Sequence, residues 1–268
     1  MKFDLHTHHS RCGHAVGQIE DYIQTAIRVG LQVIGISDHS PFFAEEEDHA
    51  RPGMAMPRSE FLFYVEEVLN LKHKYEDRIE VLLGVESDFF AESTAVYQSY
   101  FQKYPFDYLI GSIHYVEGIH IFHKQFWSQV AVEDVEKRFR LYYDLVVQAV
   151  RSQAFDIFGH LDALRGNCPF PFEPSASVTD HVLQEAASSG VVLEVNTSGK
   201  WKLGSKWFPS DELLERALFY GLGITFGSDA HKPERVGEEQ EEVRKRLKEI
   251  GYTEWCIFRK RVKQMIPL

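Results

Sequence analysis

The chain has 268 residues, 44% hydrophobic and 26% charged, with a formal charge of −11 at pH 7. That is one large domain or two small ones with a substantial core, and the acidic balance argues against nucleic-acid or anionic-membrane partners. A small anionic substrate stays open, because carboxylates that bind cations give up their net charge.

No run approaches the roughly 18 apolar residues of a membrane span. The N-terminus lacks the pattern of a signal peptide. Cys12, Cys168 and Cys256 are odd in number and widely spaced, which speaks against a disulfide framework and for a reducing cytoplasm.

The first strand runs into His6-Thr7-His8, followed by His9 and His14. Alternate side chains of a strand share a face, so His6 and His8 form half of a metal site. Residues 18–29 have helical spacing with Gly30 as the stop. Leu31–Ile36 is a strand ending in Ser37-Asp38-His39, and a long loop follows from Ser40 to Pro57. Ser59 is expected to cap a helix over Glu60–Lys74. Ile79–Val85 is a strand ending at Glu86. A short helix over Ser93–Lys103 leads to a strand from Phe106 that ends in Ser112-Ile113-His114.

The stretch Tyr115–Gln129 reads as a loop rich in aromatic residues and histidine. A helix over Val132–Arg151 precedes a strand ending at His160. After a loop holding Arg165, Cys168, Pro169, Pro171 and Pro174, a helix over Thr179–Ser188 leads to a strand ending at Asn196. A helix over Asp211–Tyr220 leads to a strand ending in Ser228-Asp229-Ala230-His231, and two helices, near 238–250 and 253–264, close the chain.

Strands alternating with helices predict parallel β-sheet, and ligand-type residues at so many strand ends favour a (β/α) barrel over an open sheet, whose chemistry collects at one switch point. The first strand is not followed by a glycine-rich phosphate fingerprint, which removes the dinucleotide reading. The set His6, His8, His14, His39, Glu86, His114, His160, Asp229 and His231 exceeds the needs of one zinc and suits two or three ions if a carboxylate bridges. Imidazole with carboxylate fits zinc, iron or manganese. Closely spaced cations lower the pKa of a bridging water and clamp phosphoryl oxygens, so the residues point to metal-assisted hydrolysis of a phosphoester. His49, His73 and His181 read as solvated, His120 and His123 as loop residues within possible reach of substrate, His9 as a supporting residue and Cys12 as a turn residue.

As an ordered set, His6-Thr-His8, Ser37-Asp38-His39, Glu86, Ser112-Ile-His114, Gly159-His160 and Ser228-Asp229-Ala-His231 resemble the motifs of the PHP (polymerase and histidinol phosphatase) family. Within it, His6–His14, Met54–Pro57, Phe106–His114, Gly159–Arg165 and Glu194–Gly199 look most like the stand-alone histidinol-phosphate phosphatases of histidine biosynthesis. The resemblance implies a distorted (β/α)7 barrel over residues 1–268, with a centre of three divalent metals at the C-terminal strand ends. It places His6, His8, Glu86 and Asp229 on one ion and His14, His39 and His231 on a second. Glu86 bridges to a third with His114 and His160. It implies hydrolysis of L-histidinol phosphate by a metal-bridging hydroxide. Asp38 would orient an imidazole beside the reaction, and Arg165 would clamp the phosphate, with Asn196 and Lys202 also at the substrate. Glu194 and the acidic loop Glu45–Asp48 are candidates for binding the substrate's ammonium and imidazole.

Two rival classes make different demands. A nuclease or nucleotide phosphoesterase with the same metals needs a basic, aromatic-lined groove, whereas the basic runs Arg244–Lys248 and Arg259–Lys263 read as solvated helix faces. An amidohydrolase, which also opens with HxH, uses a carbamylated lysine, and no lysine ends a strand here. An inactive binding module would have a broken ligand set, and none of the nine positions is broken.

Overall fold

The computed structural model describes all residues except Gln129, Pro171, Glu173, Gly204, Ser205 and Lys206; the side chains of Lys124, Asn167, Lys202 and Leu203 are also outside the description. In its first half β1 (Phe3–Asp4), α1 (Ile19–Arg28), β2 (Val33–Ile36), α2 (Arg58–Lys74), β3 (Glu80–Leu83), β4 (Glu86–Asp88), α3 (Thr94–Phe101) and β5 (Ile110–Ser112) follow in order. A small hairpin, β6 (Tyr115–Val116) and β7 (Ile119–His120), leads to α4 (Lys124–Ser128) and the long α5 (Val135–Arg151). Then come β8 (Ile157–Phe158), α6 (Ala176–Ser189), β9 (Val192–Asn196), α7 (Gly199–Leu203), α8 (Asp211–Phe219), β10 (Ile224–Gly227) and α9 (Gln240–Ile250). A hairpin of β11 (Glu254–Arg259) and β12 (Val262–Pro267) ends the chain.

The strands form two parallel sheets, β1-β2-β3 and β10-β9-β8-β5-β4. They meet at both edges. On one side Gly84 N donates to Ile36 O at 2.8 Å and Glu86 N to Ser37 O at 2.9 Å. On the other, Leu5 N donates to Phe226 O at 3.1 Å and His8 N to Ala230 O at 2.9 Å. The strand expected over Ile79–Val85 is observed as β3, Glu80–Leu83, and β4 begins at Glu86 in the other sheet. Tyr108 explains the close fit at this seam. Its hydroxyl donates to Leu5 O at 2.6 Å, and a Cβ on Gly35 would lie 1.9 Å from that oxygen. Burial raises the phenol's pKa well above its usual value, so it stays a neutral donor.

The helices cover the sheets along apolar stripes. Phe139, Tyr142, Tyr143, Val146 and Val150 of α5 are buried, at spacings that share a helix face. α2 begins at Arg58, and its expected cap is supplied differently. Ser59 lies in the first turn, and Asp48 reaches across the loop to accept from Ser59 N at 2.9 Å and Ser59 Oγ at 2.6 Å. Asp48 therefore anchors a helix start, where a negative charge is favoured.

The expected final helix over 253–264 is a β-hairpin. Glu254-Trp255-Cys256-Ile257-Phe258-Arg259 is rich in strand-forming residues, and its buried run packs under the sheets. Lys260 and Arg261 turn the chain with φ of 51° and 63°, the left-handed pair a two-residue hairpin needs, without the glycine or asparagine that normally announces it. The basic run Arg259–Lys263 consequently lies on the hairpin. Among the described residues no helix is long and apolar enough to cross a membrane, and all three cysteines are free.

Candidate metal centre

Beyond β1 the chain stays extended through His6-Thr7-His8, held by a parallel bridge from Thr7 to Ala230. His6 and His8 therefore share a face, with ring centroids 5.0 Å apart. Asp4 ties this segment to the last strand's loop, accepting from Ser228 N at 2.9 Å, Ser228 Oγ at 2.5 Å and Gly237 N at 2.8 Å. The two ends of the sequence thereby meet in one site.

Glu86, fully buried at the start of β4, is its hub. Oε2 lies 3.3 Å from His6 Nε2, 3.4 Å from His8 Nε2 and 3.1 Å from His39 Nδ1. Oε1 lies 3.0 Å from His160 Nε2 and 3.7 Å from His114 Nε2, and it accepts from Ser112 Oγ at 2.6 Å. Asp229 adds a second carboxylate, with Oδ1 3.1 Å from His8 Nε2 and 3.8 Å from His6 Nε2. His14 and His231 close the group, their Nε2 atoms 3.0 Å apart. All nine expected positions are therefore brought together.

Two of them hold backbone that costs energy. His160 has φ of 26° and Asp229 φ of 53°, a region side chains other than glycine seldom occupy. Such conformations persist where the surroundings enforce them and cluster at functional sites.

Outer carboxylates aim the rings. Glu194 Oε1 lies 2.5 Å from His6 Nδ1, Asp38 Oδ1 lies 3.2 Å from His8 Nδ1, and Asp88 Oδ1 lies 3.1 Å from His114 Nδ1. Each fixes a proton on Nδ1 and turns the Nε2 lone pair inward, the arrangement typical of metal-bound histidine. His6 Nε2 and His8 Nε2 are buried and have no hydrogen-bond partner among the described residues. Unpaired buried nitrogens facing carboxylates at this spacing fit divalent cations, for which imidazole and carboxylate are ordinary donors. Among the described residues, His6, His8 and Glu86 form one compact donor group, His8, His39 and His231 another, His39, Glu86 and His114 a third, and His8, Cys12 and Asp38 a fourth.

The electrostatics divide the imidazoles. Burial opposes charging His6, but Glu194, Glu86 and Asp229 outweigh it and raise its pKa well above the usual value. At His8 burial is likewise outweighed, by Asp229 and Asp38, and the pKa is pushed up to about 9. Burial and neighbouring histidines hold His39 well below its usual value and push His231 down to about 3. Glu86 stays ionised: burial works against the charge, but His6, His39 and His114 prevail. A cation replaces the proton in such a site, since neutral imidazole is the ligand form.

The centre opens into a cavity of about 420 Å³. Part of its wall is an aromatic cluster of Phe42, Tyr115, His120 and Phe122, with the His120 ring stacked on His114 at 5.5 Å and 3°. Another part is Trp201 with the Arg235 guanidinium 4.0 Å from its ring.

Several sequence-derived expectations fall elsewhere. Arg165 Nη1 donates to buried Asp162 at 2.7 Å, because a 3-10 turn sets the two three residues apart on one side, and Arg165 is not among the described residues lining the cavity. Asn196 is buried away from the cavity, where its Nδ2 donates to Glu194 at 2.9 Å. The side chain of Lys202 lies outside the described residues. Asp38 is outside the described lining but stands beside the imidazoles of His8 and His9, the orienting position expected of it. The acidic loop Glu45–Asp48 is exposed and does not contribute to the described lining. Cys12, read as a turn residue, ends a 3-10 turn over Ser10–Cys12 and is fully buried with Sγ 3.2 Å from His9 O, and burial raises its thiol pKa.

Asp88 was readable in principle, since it shares a strand face with Glu86 by the same alternation that pairs His6 with His8. Trp201 and Arg235 carry no comparable signal, because only the folded loops bring them together.

The PHP domain family model matches residues 4–198. The "Probable histidinol-phosphatase" of Deinococcus radiodurans is 30% identical over 92% of this chain and 93% of its own. A protein of the same description from Schizosaccharomyces pombe is 30% identical over 97% of this chain and 90% of its own. Among solved structures, the histidinol phosphate phosphatase of Lactococcus lactis subsp. lactis Il1403, complexed with Zn, L-histidinol and phosphate, superposes with a TM-score of 0.80 at 21% identity, covering 98% of each chain. The likeness is one of fold, an α/β architecture of parallel sheets of the TIM-barrel type.

Proposed function

The chain belongs to the PHP domain family, and from that premise we propose that it is a metal-dependent phosphatase that hydrolyses L-histidinol phosphate to L-histidinol and phosphate. The strand order and the hydrogen bonds at both sheet edges support reading residues 1–268 as one domain, a distorted (β/α)7 barrel. The observation that carries the function is the convergence of His6, His8, His39, His114 and His160 on the two oxygens of Glu86.

In this proposal three divalent ions bind. His6, His8, Glu86 and Asp229 hold one, His14, His39 and His231 a second, and Glu86, His114 and His160 a third. When bound, such ions supply Lewis acidity at the phosphoryl oxygens and activate water at neutral pH. The chain's own part is placement. Glu194, Asp38 and Asp88 keep the imidazoles of His6, His8 and His114 turned to the centre. Asn196 acts through Glu194, which holds His6, while Arg165 pairs with Asp162, which also accepts from Ser210 N. The aromatic cluster of Phe42, Tyr115, His120 and Phe122 offers flat faces to the imidazole of the substrate. Water's oxygen bonds to phosphorus, the bond from phosphorus to the ester oxygen breaks, and a proton reaches the departing alkoxide.

The test is hydrolysis of L-histidinol phosphate against a panel of nucleotides and sugar phosphates, with metal analysis of the same sample. A marked preference for histidinol phosphate by metal-loaded protein is expected. Equal rates across the panel would refute the specific assignment, and full activity in metal-free protein would refute the metal-dependent one.

A further inference from the structure

Among the described residues lining the cavity, Arg235 is the lysine or arginine present. Its surroundings are built. Pro233–Arg235 forms a 3-10 turn just past His231, closed by Arg235 N donating to Lys232 O at 3.0 Å. The guanidinium carbon lies 4.0 Å from the centre of the Trp201 ring. The indole is itself fastened from the other loop, with Nε1 donating to Glu238 at 3.1 Å. Lys200 pairs with Glu239, and Trp207 Nε1 donates to the same carboxylate at 2.7 Å, so the neighbouring acids are already engaged. Among the described residues, no carboxylate pairs with the Arg235 guanidinium.

A guanidinium lying over an indole keeps its N–H donors at the rim, in the plane that matches phosphate oxygens. Glu86 and Asp229 would be neutralised by the cations proposed for this centre, which leaves Asp88 as the lining carboxylate that repels a dianion. A fixed positive group at the wall offsets that field and draws the anion in. Arg165, by contrast, keeps its charge on Asp162.

We propose that Arg235, supported by Trp201, is the residue that binds and positions the phosphate of a phosphomonoester at this centre. The proposal rests on the phosphatase reading, which it deepens by assigning the phosphate-recognising residue to the loop after β10.

The test uses metal-loaded wild type, R235Q, R235K and W201F. Removing one charge-assisted hydrogen bond in R235Q should raise both the KM for L-histidinol phosphate and the inhibition constant of inorganic phosphate by about 10-fold or more. Metal content and inhibition by the neutral-ended product L-histidinol should stay within about 2-fold, as expected when only the phosphate interaction is removed. R235K should recover part of the loss, since lysine keeps the charge without the planar fork. Inorganic phosphate should also perturb tryptophan fluorescence in the wild type and do so much less in W201F. An unchanged phosphate inhibition constant in fully metallated R235Q would overturn the assignment. A wild type inactive on histidinol phosphate would instead overturn the functional reading, and phosphate inhibition measured with p-nitrophenyl phosphate would still decide the role of Arg235.

Discussion

At the N-terminal end of the strands, Trp255 of the closing hairpin packs edge-on against Phe3 at 4.6 Å, buried with Cys256, Ile257 and Phe258. Charges around this end have opposite partners: Glu80 takes Arg259 in a two-pronged pair, Asp156 takes Arg261, and Asp107 takes Lys72 at 2.7 Å. At the C-terminal end, like groups are crowded together. Left-handed backbone and a partnerless buried nitrogen occur at both ends, at Lys260, Arg261 and Trp255 Nε1 as at His160, Asp229 and the imidazoles, but only here, among the described residues, do like groups converge, with His8 stacked within 4.3 Å of His39 and 4.2 Å of His231. One end is arranged to be stable without help. The other is arranged so that something from outside completes it, which is where a fold of this kind departs from local consistency.

That contrast can be broken from either side. The largest effect is expected from Glu86→Gln, which removes the charge shared by five imidazoles. Activity should fall on the order of 10³-fold or more, and bound metal should fall with it, since charge stabilisation worth several kcal/mol is at stake. Circular dichroism should show the fold retained. Full activity with full metal content in this variant would refute Glu86 as the hub.

Next, Trp255→Ala should cost about 3–5 kcal/mol of stability, read from denaturant unfolding, through loss of a large buried ring. Its metal content per folded molecule should match the wild type. Metal loss at a temperature where the variant is still folded would show that the two ends are not separable.

Glu194→Gln should weaken metal affinity or activity by about 10- to 100-fold, the usual scale for a carboxylate behind a ligating histidine. A chelator titration followed by activity measures it. An effect as large as that of Glu86→Gln would move Glu194 into direct coordination. The smallest change is expected from Arg259→Gln, whose pair with Glu80 is partly exposed and is worth below about 1 kcal/mol. Thermal unfolding should shift by a few degrees at most, and kcat/KM should not change.

Much of the C-terminal end was legible from sequence because its signal is local. Each apolar strand supplies its own depth, and the residue that follows it, His39, Glu86, His114, His160 or Asp229, is carried to the same rim. The aiming carboxylates were less legible. Glu194 lies 188 residues from His6, and its role needs the first and sixth strand positions known together. The closing hairpin was misread for a different reason. Its turn is built on Lys260 and Arg261 rather than glycine, and its outer strand, Val262–Pro267, lacks the polar–apolar alternation of a strand and adjoins a basic run that resembles a solvated helix face. The cap from Asp48 and the Arg235–Trp201 pair are products of loop packing and leave no periodic trace.

The joining of His6 and His8 to Asp229 and His231 also sets a schedule for making the protein. The first imidazole pair leaves the ribosome when Asp229 is still some 220 residues away, roughly 10–45 s at ordinary elongation rates. Through that interval the nascent chain carries an exposed half-site whose remaining donors do not yet exist, able to hold a stray ion only weakly. Loading is thereby deferred until Asp229 and His231 have been made, and which metal is captured is decided by the ions present around the chain at that stage.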